Sequence, residues 1–233
     1  MNSILFIGAT HGDEPIGVHA LQTLSQKAHG FDWIIGNEKA YDANTREFEG
    51  NLNRSAPGMY GASNYAARRA AEIIALSTNY RYTIDIHGTI ADTGIFVIVT
   101  NPTEENIALA TSLGIHNIVI WPASSQKLTG PLTRFVPCGV GIECGPKDSP
   151  EIQNELVAIL ERFLVQKSEI KPVEKKPFTL FEVYGTLQKP EALAQLKEFQ
   201  EVEIDGERFV PLLIGRYPGV TCYKMRVTNK ITV

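Results

Sequence analysis

Three side chains that can bind a metal ion follow two apolar runs of the sequence. His11 and Glu14 lie in the segment GATHGDE, directly after the run ILFI, and His87 ends the segment TIDIH. Two imidazoles and one carboxylate leave a fourth position open for water, which is the ligand set of catalytic rather than structural zinc. Glu14 and His87 are far apart in the chain, so two strand ends must meet for this site to form. Taken singly, each histidine could equally be a hydrogen-bonded loop residue.

A further carboxylate, Glu143, stands in the segment GVGIECGP, at the end of an apolar run and between glycines. A carboxylate at a buried strand end costs free energy unless it is paired or its pKa rises. Such a group suits a general base that acts on a metal-bound water. We therefore predict that Glu143 takes part in proton transfer.

Four polar side chains indicate a site for a small anion. Arg46 precedes the segment NLNR, which contains Asn53 and Arg54, and Arg134 lies in the stretch before Glu143. Arginine presents a planar fork that holds a carboxylate in two-point contact, and the asparagine amide adds a directional donor. We expect an anionic substrate to bind to Arg46, Asn53 and Arg54, and Arg134 could reach the same opening. The alternative for Arg46 and Arg54 is that they are solvated surface charges.

The elements that must position these residues alternate between strands and helices. Ligands bind at the carboxyl ends of strands in α/β sheets, where His11 and His87 are expected. Strands separated by helices predict an α/β sandwich around a mostly parallel or mixed sheet. The apolar patterns predict strands at 3–8, 32–35, 81–86, 95–99, 117–120 and 139–142, and helices at 15–27, 65–76, 103–113 and 150–165.

The composition of the chain changes after the last of these helices. Residues 167–177 are charged, contain prolines and lack large apolar side chains, which is typical of a linker. Beyond it we predict strands at 178–187 and 220–233 and a hairpin turn at Asp205–Gly206. The chain is thus predicted to have a catalytic domain at 1–166, a linker at 167–177 and a small β-rich domain at 178–233. The small domain is on the margin of independent stability, so we expect it to dock on the catalytic domain.

Composition and charge exclude several classes of protein. The 233 residues carry 22 basic and 26 acidic side chains, without the basic surplus or stripe of a nucleic-acid-binding protein. No apolar run approaches the roughly 20 residues needed to span a bilayer. The short apolar run at 4–7 and the odd count of three cysteines predict a cytoplasmic protein without a signal peptide. The sequence leaves open whether the chain forms a homo-oligomer.

Four motifs in order make the sequence resemble a known family. HGDE at 11–14, NLNR at 51–54, DIH at 85–87 and GIECGP at 141–146 are similar to the motifs of the aspartoacylase/succinylglutamate desuccinylase family. This family is a branch of the zinc carboxypeptidase-like hydrolases. The resemblance implies a zinc carboxypeptidase-like α/β/α sandwich with a mixed sheet, a small C-terminal β domain, and one zinc ion per chain.

The resemblance also implies a role for each residue of these motifs. Glu143 would be the general base and later the proton donor, and Arg46 would polarise the scissile carbonyl and stabilise the oxyanion. Family members close the pocket with a tyrosine from the C-terminal domain, for which Tyr223 is our candidate. The implied zinc ligands are His11, Glu14 and His87, and the implied substrate-binding residues are Asn53, Arg54 and Arg134.

The sequence departs from the family pattern at the first residue of NLNR. Family members usually have Asp there, whose carboxylate can support a zinc histidine, whereas this chain has Asn51. Asp85, two residues before His87, is the candidate to take over part of that support. The C-terminal domain is also compact, which predicts a reduced lid over the substrate.

Three functions remain open on the sequence alone. The first is a zinc-dependent amidohydrolase that cleaves the amide of a small anionic substrate, an N-acylated amino acid or a similar acidic amide. The second is a zinc carboxypeptidase or a peptidoglycan-peptide amidase. The third is a catalytically silent binding protein of the same fold, which only Asn51 favours. The sequence does not determine which acyl group and which amino acid are recognised.

Overall fold

A mixed ten-stranded sheet forms the frame of the computed structural model, which describes residues 3–121, 130–168 and 177–228. The order of strands across the sheet is β2-β1-β3-β6-β4-β5-β7-β10-β9-β8. The strands are β1 Ile4–Gly8, β2 Asp32–Ile35, β3 Tyr82–Gly88, β4 Gly94–Val99, β5 Asn117–Ile120, β6 Gly139–Gly145, β7 Thr179–Leu187, β8 Val202–Ile204, β9 Glu207–Leu212 and β10 Cys222–Val227.

The first half of the sheet is parallel, and β4 reverses the direction. β1 pairs in parallel with β2 and β3, and β3 pairs in parallel with β6. β4 is antiparallel to β6 and parallel to β5. The predicted fold class, an α/β protein with a mixed sheet, is therefore confirmed. The strand predictions at 32–35 and 117–120 agree with the observed bounds, and the others differ by a few residues.

Side chains alternate between the two faces of the sheet, and each face has its own core. On β1, Phe6 belongs to a cluster covered by helices α1 Ile16–Ser25, α4 Glu104–Ser112 and α5 Pro150–Ser168. Its neighbour Ile7 points the other way, towards α3 Tyr65–Ser77. Helices thus cover both faces, and the short helix α2 Glu38–Asp42 follows β2.

Helix starts follow the expected side-chain chemistry. The Thr103 hydroxyl accepts a hydrogen bond from the backbone N–H of Asn106 and so caps the start of α4. The Asn64 side chain does the same for Ala67 at the start of α3. No described helix has the length and apolarity to cross a membrane.

The C-terminal strands extend the same sheet. β7 lies parallel to β5, and β10 and β9 add to it in antiparallel order. The predicted turn at Asp205–Gly206 joins β8 to β9, and both residues have positive φ (52° and 79°), as a type I′ turn requires. The last strand is shorter than predicted because β10 ends at Val227, and 229–233 lie outside the described residues.

The boundary between the two predicted domains falls near the end of α5. This helix continues to Ser168, so the first two residues of the predicted linker are helical. Residues 169–176 lie outside the described part of the chain. An apolar cluster joins the two halves, since Phe96 of β4 packs together with Val210 of β9 and Met225 of β10. The division into separate domains stays a prediction.

Candidate metal centre and its cavity

The side chains of His11, Glu14 and His87 meet at the carboxyl ends of β1 and β3. Each offers one ligand atom, and these atoms lie within 4.8 Å of one another. All three residues are buried. β1 and β3 are parallel neighbours with Gly8 opposite Ile86, so the loop after β1 emerges beside the end of β3. We call His11, Glu14 and His87 the ligand triad.

The loop after β1 is tightly packed. Ala9 has a positive φ of 53°, which turns the chain sharply away from the strand. Gly12 then passes so close to α2 that a Cβ atom there would lie 2.1 Å from the carbonyl carbon of Ala40. Only glycine fits at this position, and the close approach fixes the loop between His11 and Glu14.

Glu14 is the centre of the ligand triad. Its Oε2 atom lies 3.1 Å from Nδ1 of His11 and 3.3 Å from Nδ1 of His87. The same oxygen accepts the backbone N–H of Gly88 at 3.1 Å, and Oε1 accepts an N–H of Arg46 at 2.6 Å. Burial by itself would raise the pKa of Glu14, but the neighbouring His11 and His87 hold this pKa well below its usual value. Glu14 therefore offers an anionic oxygen at this position.

His87 is oriented by a second carboxylate. Its Nε2 atom lies 2.9 Å from Oδ2 of Asp85, and Oδ1 of Asp85 accepts the Thr10 hydroxyl at 2.7 Å. Burial would lower the pKa of His87, but the Asp85 carboxylate raises it well above the usual value. Asp85 thus takes the supporting role suggested by the sequence. The Oδ1 atom of Asn51 is buried without a hydrogen-bond partner in the described chain.

The donor set of the ligand triad fits zinc. Two imidazole Nδ1 atoms and one carboxylate oxygen converge, and the outer nitrogen of His87 contacts a carboxylate. Zinc binds such nitrogen and oxygen donors in tetrahedral geometry, and ligating histidines commonly pass their second ring N–H to a carboxylate.

Glu143 lies next to the ligand triad on the paired strand. It is opposite His87 in the register of β3 and β6, and its side chain lines the same cavity. Burial raises the pKa of Glu143 to about 7, with His87 opposing this rise and Glu14 adding to it. A carboxyl group that titrates near neutral pH can both accept and donate a proton.

Arg46, Asn53 and Arg54 line the cavity from the loops after α2. The Oδ1 atom of Asn53 accepts the backbone N–H of Leu132 at 3.2 Å, so the amide nitrogen remains as the donor for a ligand. The side chain of Arg54 donates to the carbonyl of Asn53 at 2.7 Å. The Asn53 amide nitrogen and the Arg54 guanidinium are thus neighbouring hydrogen-bond donors at the cavity, and Arg54 adds a positive charge that favours an anion. The cavity has a volume of about 380 Å³.

Residues 1–166 match the model of the succinylglutamate desuccinylase/aspartoacylase catalytic domain. The chain belongs to this family. A probable aspartoacylase of Prochlorococcus marinus (strain MIT 9515) is 29% identical over 199 residues, covering 76% of this chain and 66% of that protein. A probable aspartoacylase of Acaryochloris marina (strain MBIC 11017) is 22% identical over 246 residues, covering 92% of this chain and 82% of that protein.

The chain spans 66% of the length of the relative from strain MIT 9515. It spans 64% of the length of another probable aspartoacylase, from Prochlorococcus marinus subsp. pastoris. Among solved structures, murine aminoacylase 3 has a TM-score of 0.76 at 18% identity, covering 97% of this chain and 95% of that chain. Succinylglutamate desuccinylase from Chromobacterium violaceum has a TM-score of 0.71 at 16% identity, covering 99% and 86%. These likenesses confirm the zinc carboxypeptidase-like fold that the family resemblance implies.

One predicted site residue of the family pattern lies elsewhere. The 3₁₀ helix Leu132–Arg134 turns Thr133 towards the cavity, whereas the Arg134 side chain is exposed and is absent from the cavity lining. The two residues are neighbours on a tight helix and point in different directions. The substrate-binding role of Arg134 therefore stays a prediction that this geometry does not support.

The C-terminal strands bring two tyrosines to the cavity. Tyr223, the predicted pocket tyrosine, lines it and packs against Trp121 and Tyr217, with ring centroids 4.6 Å and 5.8 Å apart. Sequence reasoning missed Tyr217. Burial raises the pKa of the Tyr217 hydroxyl, and the charge of Glu143 raises it further, so Tyr217 lies in the field of the proposed base.

The loop that carries Tyr217 forms the rim of the cavity. Leu213, Arg216 and Pro218 line it as well, so the compact C-terminal part still supplies one wall. The sequence signal was the turn YPG at 217–219, which places an aromatic side chain on a tight connection before β10.

Proposed function

We propose that this chain is a zinc-dependent amidohydrolase that cleaves the amide bond of an N-acylated amino acid or a similar small acidic amide. The observation that carries the proposal is the juxtaposition of the ligand triad, within 4.8 Å, with Glu143 on the adjacent strand. Family membership supports amide hydrolysis, and so does the presence of Arg46, Asn53 and Arg54 in the same cavity. The three described cysteines are free and buried, which supports a cytoplasmic location.

In this proposal the ligand triad holds the metal, and Asp85 keeps the His87 ring in place through its contact of 2.9 Å. When bound, zinc supplies a Lewis acid that polarises a carbonyl and lowers the pKa of water to about 7. The neighbouring histidines hold the pKa of Glu14 low, so the chain would present an anionic oxygen and two imidazole rings to the ion.

Glu143 transfers the proton. Its carboxylate takes a proton from the attacking water and returns it to the nitrogen of the leaving amine. A carboxyl group with a pKa of about 7 suits both steps, because neither form is strongly favoured near neutral pH.

Arg46 and the NLNR loop hold the substrate. Arg46 lies beside Glu14, and its guanidinium would donate to the oxygen that becomes negative as the carbonyl is attacked. Asn53 and Arg54 bind the carboxylate of the amino acid, for which the free amide nitrogen and the guanidinium are suitable donors.

The test combines metal content with one substitution. We expect the purified protein to contain one zinc per chain by mass spectrometry, and Glu143→Gln to keep the zinc while kcat falls at least about 10²-fold. The matched control is Glu161→Gln, the same change at an exposed position of α5, which should keep full activity. A protein without zinc, or a fully active Glu143→Gln variant, contradicts the mechanism.

The two other functions have their own outcomes in this test. Hydrolysis of peptides in preference to N-acyl amino acids would indicate a carboxypeptidase or a peptide amidase. Zinc binding without turnover of either substrate class would indicate a silent binding protein.

A further inference from the structure

The cavity extends along one face of the sheet, away from the ligand triad. Across the strand order β3-β6-β4-β5, His87 is followed by Glu143 and Gly141, then by Ile98, then by Trp121. Gly141 shares a face with Glu143 because alternate residues of a strand point to the same side. Ile98 is the direct antiparallel partner of Gly141. The charged groups therefore end at β6, and the cavity continues over β4 and β5.

Gly141 forms a floor without a side chain. A Cβ atom there would meet nothing closer than 3.7 Å, and its φ lies outside the left-handed region. The two other glycines of β6 differ, since a Cβ atom at Gly139 would lie 2.3 Å from Val136 and one at Gly145 would lie 2.2 Å from Ala91. Packing requires glycine at those two positions, whereas at Gly141 the space belongs to the cavity.

The walls beyond Gly141 are uncharged. The hydroxyls of Thr100 and Thr133 contact each other at 3.1 Å, and Trp121 is only 4% exposed. The Trp121 indole N–H has no hydrogen-bond partner within the described ranges. The Trp121 side chain adds an aromatic, uncharged surface to this part of the cavity. We call Ile98, Thr100, Trp121, Thr133 and Tyr223 the neutral wall.

The neutral wall lies in the same cavity as Arg54 of the NLNR segment. Arg54 and Tyr223 both line the cavity, and the Tyr223 ring packs edge-on against Trp121. A substrate whose carboxylate lies on Arg54 therefore has the neutral wall within the same cavity. In the described chain, the other cavity-lining arginines are Arg46, which contacts Glu14, and Arg216 on the rim.

We propose that Gly141 and the neutral wall form the subsite for the amino-acid side chain of the substrate, and that this side chain is uncharged, either aromatic or branched aliphatic. Gly141 sets the largest side chain that fits, because any larger residue at this position projects into the subsite. The inference rests on the proposed function and specifies its substrate class.

The first experiment measures kcat/KM for the N-acetyl derivatives of glycine, leucine, phenylalanine and aspartate. We expect the wild-type protein to prefer leucine and phenylalanine derivatives to the aspartate derivative. In Gly141→Val, kcat/KM for these two should fall by about 10- to 200-fold through KM, while the glycine derivative changes less than about threefold. Gly141→Ala should lie between the wild type and Gly141→Val.

The matched control is Gly185→Val on β7. A Cβ atom there would first meet the flexible end of Lys224 at 3.3 Å, and the position lies outside the cavity lining. This variant should leave all four kcat/KM values unchanged. An equal loss for all substrates in Gly141→Val overturns the proposal. So does a wild-type preference for the aspartate derivative, above all if Arg216→Gln abolishes that preference.

A binding measurement separates this inference from the proposed function. The chain has two tryptophans, so in Trp33→Phe the emission comes from Trp121. N-acetylleucine should shift this emission, and N-acetylaspartate at the same concentration should not. If no substrate is hydrolysed but this shift occurs and Gly141→Val abolishes it, the hydrolase proposal fails while the subsite remains. If N-acetylleucine causes no shift, the subsite proposal fails.

Discussion

At the β1–β3 end of the cavity, Glu14 contacts two histidines, an arginine and a backbone amide, and Asp85 contacts His87 and a threonine. At the β4–β5 end, the Trp121 N–H has no partner in the described chain and Gly141 leaves open space. This difference indicates which residues of the cavity tolerate substitution in related proteins. Groups held by several mutual contacts cannot change singly without loss, whereas an open floor can accept a new side chain and alter only the fit of the substrate.

The largest expected effect is at Glu14, at the centre of the contacts in the β1–β3 end of the cavity. Glu14→Gln removes the negative charge that contacts both histidines, so we expect the zinc content to fall below one-tenth per chain and activity to be lost. Mass spectrometry of the metal and the hydrolysis rate check this expectation. A Glu14→Gln protein that keeps a full equivalent of zinc contradicts the ligand assignment, and Glu161→Gln is the control.

A smaller effect is expected one contact further out. Asp85→Asn weakens the support of His87 without removing a ligand, so zinc affinity should fall by about 10- to 100-fold. Competition with a chelator measures this affinity. Asp92→Asn, at an exposed position, is the matched control and should not change it. Equal affinities for Asp85→Asn and the wild type would show that the 2.9 Å contact does not support the metal.

Glu143, next to the ligand triad, should also make the free energy of unfolding of the chelator-treated protein fall as the pH rises. Because the pKa of Glu143 is raised to about 7 in the folded state, the folded protein keeps a proton that the unfolded chain loses near pH 4.5. The free energy of unfolding therefore falls as pH rises between about 4.5 and 7. Glutamine has no such proton to lose. The free energy of unfolding of Glu143→Gln, relative to that of the wild type, should therefore rise by about 1–3 kcal/mol between pH 4.5 and pH 8.

Urea denaturation of the chelator-treated protein at the two pH values measures this difference. The wild type and Glu161→Gln should follow the same pH dependence. A pH-independent difference between Glu143→Gln and the wild type would mean that the Glu143 carboxyl group does not titrate in this window.

The smallest effect is expected in the neutral wall. Thr100→Val breaks the hydroxyl contact with Thr133, which should cost about 1 kcal/mol of stability and change KM for the phenylalanine derivative only a few-fold. Thermal unfolding and steady-state kinetics test it. A loss as large as that of Glu14→Gln would show that the two ends of the cavity do not differ in the way described.

Sequence reasoning succeeded where a short motif fixes both the residue and its strand. The mixed α/β sheet followed from apolar runs separated by helices, and HGDE, DIH and GIECGP placed their polar residues at strand ends that the parallel pairing brings together. It did not resolve which of two neighbouring residues on a single turn lines the cavity. Arg134 and Thr133 are adjacent, and only the direction of a 3₁₀ helix decides which of them meets the cavity.

Residue types and their order along the chain were therefore enough to predict the fold class, the family and the three donors that the fold brings within 4.8 Å. These depend on local periodicity and on residue types, which the chain carries directly. Only the three-dimensional structure shows that Asp85 contacts His87, that Tyr217 lines the cavity with Glu143, and that Gly141 and Trp121 line the same cavity. Such relations depend on strand order and register between distant segments, and no local pattern encodes them.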